Sequence, residues 1–269
     1  MTPTLAAVVG TLYAVACAVF LVHLSKGSPR LGNVGRVVLA AAALAHLVYV
    51  GAVFSSGAAR PMASIYQTLS MVSLAMVLAF LATSLRYRTT VLGAFITPVT
   101  LLFFLGAVLG ATAEPVPSSV TLTLLPVHIA VNVLGIAAFA LAFAAALAYL
   151  IQERKLRTKE LGGIFQRLPS LDVLDMLGYR FLLVGFPLLT VGLVTGAFWI
   201  VGGATGQPHY ISPAQGLGVV TWIVFAGVLI LRTVAGWRGR KAALGTMFGF
   251  ACASLVLLAY VINSFGGAS

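Results

Sequence analysis

Residues 126–151 read PVHIAVNVLGIAAFALAFAAALAYLI, and this run determines the fold class. It contains no Asp, Glu, Lys or Arg, and it is long enough to cross the hydrocarbon core of a bilayer as a helix. Directly after it the sequence changes to Gln-Glu-Arg-Lys-Leu-Arg at 152–157, which marks the exit from an apolar environment. Because the apolar run is continuous and does not alternate, it predicts a transmembrane α-helix and not a barrel strand.

Seven other stretches also contain about 20 mostly apolar residues, the length that a spanning helix needs. The eight predicted spans are 3–24, 34–54, 66–84, 91–111, 126–151, 180–201, 215–235 and 242–264. The composition agrees, because 61% of the 269 residues are hydrophobic and 8% are charged, too few to give a soluble domain its polar surface. We therefore expect an all-α, polytopic membrane helix bundle. It forms a single integral membrane domain over 1–269, with a four-helix N-terminal half at 1–111 and a C-terminal half at 112–269.

The basic residues fall almost entirely on one side of this predicted bundle. Of 16 Lys and Arg residues, only Arg60 lies on the other side. The remaining ones are Lys26, Arg30, Arg36, Arg86, Arg88, Arg154, Lys155, Arg157, Lys159, Arg167, Arg180, Arg232, Arg238, Arg240 and Lys241. Since cytoplasmic loops are enriched in Lys and Arg, we expect this side in the cytoplasm and both termini outside. The net charge of +11 then orients the protein, and no nucleic-acid partner is expected.

The two ends of the longest cytoplasmic connection differ in character. Residues 153–160 are expected to continue the fifth helix into water. A Pro-Ser pair at 169–170 then signals a helix start, and Leu171, Leu174 and Leu177 follow at intervals of three. This second part is either a short amphipathic helix on the inner membrane surface or a lead-in to span six.

Side chains that carry enzyme chemistry are scarce. The predicted spans hold no carboxylate in their cores, which argues against an ion-coupled transporter. The sequence has no phosphate-binding loop, zinc-protease motif or nucleophile elbow. Cys17 and Cys252 lie in the first and last spans and are expected to be apolar packing residues. No basic segment precedes the first apolar run, so we expect a permanent helix there and not a cleaved signal peptide. We expect the protein not to be an enzyme.

Three histidines are the candidate ligands. His46 lies in the middle of span two, where a neutral imidazole must hydrogen-bond or ligate something. It is either bonded to a Ser, Thr or Tyr of a neighbouring helix, or it is an axial ligand or proton carrier. His128 begins span five and His209 lies in the outer loop before span seven, so the two imidazoles could meet at the outer surface. Imidazole is a standard axial ligand of haem iron; the alternative is a chance pair of surface histidines.

A series of motifs follows in order from the start of span five. They are Pro126-Val127-His128, Gln152-Glu153-Arg154-Lys155-Leu156, Leu168-Pro169-Ser170-Leu171-Asp172, Gly185-Phe186-Pro187-Leu188-Leu189, Thr195-Gly196, Thr221-Trp222 and Gly236-Trp237-Arg238-Gly239-Arg240-Lys241. Over about 125–265 these motifs resemble the cytochrome c assembly family of haem-handling membrane proteins, in particular its CcsA-, HemX- and YpjD-like members. The first four spans match more loosely, through His46 and the segment 66–70.

The resemblance implies a protein that binds haem b and presents it outside for attachment to apocytochrome c. It implies that His128 is a haem ligand and, less directly, that His46 is one. The family's outer tryptophan-rich stretch is replaced here, and His209 stands where the family has an aromatic residue. A family histidine that precedes a Thr-Arg pair is matched by Ile230. These departures point to the shorter HemX/YpjD-like branch, which is similar to an accessory or regulatory component of haem supply.

Three functions remain open. The first is a haem-handling protein of the bacterial plasma (inner) membrane that assists cytochrome c biogenesis, with His128 as the outer axial ligand of haem iron, His209 as a second and His46 as an internal ligand or structural residue. The second is a scaffold or regulator of haem biosynthesis that binds no haem. Its basic segment 153–167 would dock a haem-synthesis or cytochrome c maturation protein, or would instead contact anionic lipid. The third is a small-molecule transporter.

Overall fold

The computed structural model describes residues 2–55, 64–87, 89–110, 125–201 and 213–266, apart from the side chains at 198–201, 213 and 263–266. Its elements are α1 (Thr2–Lys26), α2 (Pro29–Ser55), α3 (Ile65–Tyr87), a 3-10 turn (Thr90–Leu92), α4 (Gly93–Leu109), α5 (Leu125–Arg157), α6 (Leu171–Val201), α7 (Pro213–Thr233) and α8 (Arg240–Gly266). Within these ranges all elements are helical, and eight helices are long and apolar enough to cross a membrane. The predicted fold class is confirmed, whereas the orientation of the termini stays a prediction.

The connection between α5 and α6 shows whether the segment that starts at Leu171 is a separate surface helix or the start of the sixth span. α5 continues past its apolar run, as expected, but it ends at Arg157 and not at residue 160. Leu171 begins α6, which runs without interruption to Val201. Leu174 and Leu177 are each 1% exposed, because they face the protein core. The prediction of a separate amphipathic helix on the membrane surface is therefore wrong, and this segment is the first part of α6.

α5 lies at the centre of the described bundle, in contact with α3, α6 and α8. Its buried positions include a set of alanines. They are Ala137, Ala138, Ala140, Ala142, Ala144, Ala145, Ala146 and Ala148. Small side chains allow close helix approach in membrane proteins. α6 contributes Gly185, where an added Cβ would lie 2.6 Å from Cε1 of Phe139. The missing side chain at Gly185 thus leaves room for the Phe139 ring where α5 and α6 meet.

The buried core is continuous across the two predicted halves. Tyr13 and Phe80 are fully buried in the first half, and Phe139 and Phe225 stack with ring centroids 3.9 Å apart in the second. All four belong to one cluster of buried side chains. The central position of α5 explains this continuity, since α5 also contacts α3.

Arginines join the helix ends at one end of the bundle, which carries the C-termini of α1, α3, α5 and α7 and is called the basic end below. Arg167, in the α5–α6 connection, donates to the carbonyl of Leu24 at 2.7 Å and also to that of Ser25. These are carbonyls of the last turn of α1, which lack partners within the helix. Arg180 of α6 donates to the Tyr87 hydroxyl at the end of α3, at 2.5 Å.

A buried ion pair joins α6 and α7 at the same end. The side chains of Arg232 and Asp175 are 8% and 15% exposed, and the guanidinium donates to the carboxylate at 2.5 Å. It also donates to the backbone carbonyl of Asp175 at 2.9 Å and lies 4.7 Å from the centroid of the Tyr179 ring. The second carboxylate oxygen accepts from the Gly239 N–H at 3.1 Å. The pair therefore holds the ends of α6 and α7 and the approach to α8 together.

Candidate functional site

His128 lies in the first turn of α5, at the end of the bundle opposite the basic end. Pro126 precedes it in that turn, where a proline is tolerated because the missing N–H has no helical partner. The His128 side chain is half-buried. The helix start therefore places this imidazole at the bundle surface with one side against the protein.

The His128 ring contacts side chains of two helices. Its Nδ1 lies 3.0 Å from Oγ1 of Thr195 on α6. Its Nε2 lies 3.3 Å from the amide nitrogen of Asn132, one turn further along α5. That amide nitrogen also donates to the backbone carbonyl of His128 at 2.7 Å. The imidazole is thus held between a hydroxyl from the neighbouring helix and an amide from its own.

Two glycines of α6 allow this close arrangement. A Cβ at Gly192 would lie 2.5 Å from Oδ1 of Asn132, and a Cβ at Gly196 would lie 3.2 Å from Cε1 of His128. Any side chain at Gly192 would have to displace the Asn132 amide. Thr195 reaches the ring from the same face of α6, because it lies three residues after Gly192. α6 therefore forms a shallow wall against which the ring rests.

His46 occupies a different part of the bundle. It is fully buried in α2, with its Nδ1 2.8 Å from the Tyr13 hydroxyl of α1 and its Nε2 2.8 Å from the Ser70 hydroxyl of α3. Phe104 packs against it edge-on, with ring centroids 4.9 Å apart. Both ring nitrogens have hydroxyl partners, which is the hydrogen-bonded alternative stated for this residue. A ligand role for His46 stays a prediction and requires one of these bonds to break.

His209 lies outside the described residues, so its position relative to His128 stays untested. Two positions that were named for the family resemblance, Trp222 and Ile230, lie on α7. Trp222 donates its indole N–H to Thr190 Oγ1 at 2.9 Å and stacks on Phe186, both of α6. Ile230, at the position of the family's histidine, is 58% exposed. Trp222 therefore joins α6 to α7.

Sequence reasoning missed four functional neighbours. Asn132 had a usable signal, because residues four apart share a helix face and it follows His128 at that spacing. No such sequence signal marks Thr195, Tyr13 or Ser70, since each of them contacts its histidine from another helix. Within the described ranges no group of three or more His, Cys, Asp or Glu side chains could hold a metal ion.

In a haem site the porphyrin supplies four nitrogens, and the protein supplies the remaining ligands of the iron. A half-buried imidazole at the bundle surface suits one axial position. Its orienting contacts come from uncharged groups, Thr195 and Asn132. The donor set at His128 therefore fits one axial ligand of haem iron.

Comparison with known proteins gives the family. The chain matches the family model described as Cytochrome C assembly protein over residues 31–267. A protein of Microcystis aeruginosa named cytochrome c biogenesis protein CcsA is 27% identical over 271 aligned residues, which cover 82% of each chain.

Shorter and more similar matches fall on two proteins of the same name. Those of Gloeothece citriformis and Synechocystis are each 42% identical over 85 residues, or 32% of this chain. In these two alignments the chain spans 26% and 25% of the relatives' lengths. The family match, by contrast, extends from early α2 to the end of α8. The chain belongs to the cytochrome c assembly protein family.

Proposed function

We propose that this membrane protein handles haem in cytochrome c biogenesis, and that it holds haem b through His128 at the end of the bundle opposite the basic end. The observation that supports the proposal is the geometry of His128. This imidazole is half-buried at a helix start and is held by Thr195 and Asn132. The name of the relatives, cytochrome c biogenesis protein CcsA, agrees with it.

We propose, from the distribution of charge, that this site lies on the outer side of the membrane. The described basic residues near helix ends lie at the basic end, which the enrichment of Lys and Arg in cytoplasmic loops assigns to the cytoplasm. Both termini then lie outside, and the protein belongs in a bacterial plasma (inner) membrane. His128 would face the compartment into which apocytochrome c is exported. Haem bound there needs no further transfer across the bilayer.

The roles of the chain's own residues follow from this placement. His128 would hold haem through its imidazole, and His209 is the proposed second ligand on the outer side. The iron and porphyrin supply the redox-active group, while the protein supplies binding and orientation. The described residues around His128 include no acid, base or nucleophile aimed at the same point. We therefore propose that the protein is a carrier and not an enzyme.

Partners at the basic end are proposed from its exposed cations. Arg154, Arg157 and Lys159 are exposed at the end of α5 and just beyond it. Glu153 pairs with Arg157 at 2.9 Å, and Glu160 pairs with Lys155. The segment 153–167 is proposed to contact anionic lipid, and a haem-synthesis or cytochrome c maturation protein, through the charge that remains. Charge-reversal of Arg154 and Lys159 should lower binding to vesicles that contain an anionic lipid.

The test of haem binding is a visible spectrum of the purified protein, oxidised and reduced. We expect a Soret band to copurify with the wild type and to be lost in His128→Gly, because the axial ligand is removed. Added imidazole should restore it by occupying the vacated position. The matched control is His23→Ala, which removes an imidazole that donates to the Ser28 carbonyl at the basic end. Wild-type haem content in the His128→Gly protein would refute binding through His128, and wild-type content in the His46→Ala protein as well would refute haem binding by either histidine.

A further inference from the structure

The Thr195 hydroxyl already donates its hydrogen to the backbone of its own helix. Its Oγ1 lies 2.8 Å from the carbonyl oxygen of Val191 and 3.0 Å from that of Gly192. Carbonyl oxygens only accept, and a hydroxyl has one hydrogen to donate. The threonine therefore donates to its own helix, as threonines in helices commonly do. Toward His128 it can offer only a lone pair.

This commitment determines the state of His128 Nδ1. That nitrogen lies 3.0 Å from Thr195 Oγ1. Two lone pairs facing each other at this distance would repel, so Nδ1 must carry the hydrogen and donate it. In a neutral imidazole one nitrogen carries hydrogen and the other a lone pair. The lone pair of His128 is then on Nε2.

Asn132 leads to the same tautomer by an independent route. Its amide nitrogen donates to the His128 carbonyl at 2.7 Å, which fixes the orientation of the amide, since a flipped oxygen would face that carbonyl. The same nitrogen lies 3.3 Å from Nε2 and has a second hydrogen that it can donate. An amide N–H only donates, so Nε2 must accept. At 3.3 Å this bond is longer than the usual N–H bond and is the weaker of the two ring contacts.

We propose that Thr195 and Asn132 are positioning residues that hold His128 as the Nδ1–H tautomer, so that Nε2 is the nitrogen presented to haem iron. The inference rests on the proposed function for its ligand, and on the geometry alone for the tautomer. Histidines that ligate metals commonly donate their other N–H to an acceptor that fixes the ring. Thr195 takes that place here, beside the backbone of Gly192, which also bonds to the His128 ring. Haem held at Nε2 would replace the long contact from Asn132, which is the weaker of the two ring contacts.

The tautomer is measured on full-length protein purified without added haem, labelled with nitrogen-15 at histidine and held in detergent micelles. Long-range proton–nitrogen correlation separates a protonated from an unprotonated ring nitrogen, and His128→Ala identifies the signal. We expect the hydrogen on Nδ1 in the wild type. Thr195→Val removes the acceptor at nearly constant shape and should shift the signal toward a mixture of tautomers, and Thr195→Ser should restore it. Thr190→Val, on the same helix, should leave it unchanged.

Haem titration of the same proteins gives the second readout. The Thr195→Val protein should bind haem about 10–100-fold more weakly than wild type, the usual effect of losing such a supporting contact, and Thr195→Ser should bind close to wild type. A hydrogen on Nε2 in the wild type, or a Thr195→Val signal identical to wild type, would overturn the proposal, as would unchanged haem affinity. If the tautomer behaves as expected but wild-type protein binds no haem, the proposed function fails and the positioning of the ring stands.

Discussion

Replacing Asp175 by asparagine tests how much the buried ion pair contributes to the fold. The substitution keeps the size of the side chain and an oxygen that can accept from the Gly239 N–H. It removes the negative charge that faces Arg232, whose side chain is 8% exposed. Removal of one partner of a buried pair leaves an uncompensated charge, at a cost of about 3–5 kcal/mol. Arg232 retains the Asp175 carbonyl and the Tyr179 ring, so we expect the lower end, about 3 kcal/mol.

The assay is reversible unfolding in mixed detergent micelles as the fraction of denaturing detergent rises, followed by tryptophan fluorescence. A double-mutant cycle with Arg232→Met isolates the pair, because the second substitution removes the charge that the first leaves behind. The double variant should be more stable than Asp175→Asn alone. Glu160→Gln is the control, since its partner Lys155 forms an exposed pair, and it should leave the unfolding midpoint unchanged. Additive single-variant effects, or a midpoint unchanged by Asp175→Asn, would refute the reasoning.

Three further predictions concern other parts of the bundle. Tyr13→Phe should destabilise the protein by about 1–3 kcal/mol, because it leaves a buried nitrogen of His46 without its partner; a change within error in the same unfolding assay would show that this hydrogen bond is dispensable. Gly185→Ala should cost about 1–3 kcal/mol, because its Cβ would overlap the buried ring of Phe139, whereas Gly178→Ala, which meets nothing within 4 Å, should be tolerated; equal stability of the two variants would argue against the clash. An enzyme reporter that folds only outside the cytoplasm should be active when fused to the C-terminus and inactive when inserted in 158–163, and the reverse pattern would invert the proposed orientation.

The fold was predictable because its main signal is local. Each span is an uninterrupted apolar run, and the charged residues that follow 126–151 mark its end. The start of α6 was not decided by the same reasoning, since Leu174 and Leu177 have the spacing of either a surface helix or a buried one. Only the tertiary structure shows that they face the core.

The candidate site was predictable only in part, for a related reason. His128 and His46 stand out in sequence because an imidazole in or beside hydrocarbon needs a partner. Their partners do not stand out: Thr195 is 67 residues from His128, and Tyr13 is 33 residues from His46. Hydroxyl groups in helices normally bond to their own backbone. Nothing local distinguishes the few that also receive a bond from another helix.

The contact of Arg167 with the end of α1 can form only late in the synthesis of the protein. The guanidinium and the Leu24 carbonyl are 143 residues apart in the chain. At about 5–20 residues per second of translation, roughly 7–30 seconds separate them. During that interval the last carbonyls of α1 depend on water or lipid headgroups. The first hairpin is therefore synthesised before its basic end is complete, and the α5–α6 connection contacts that end only after α1 to α5 have been made.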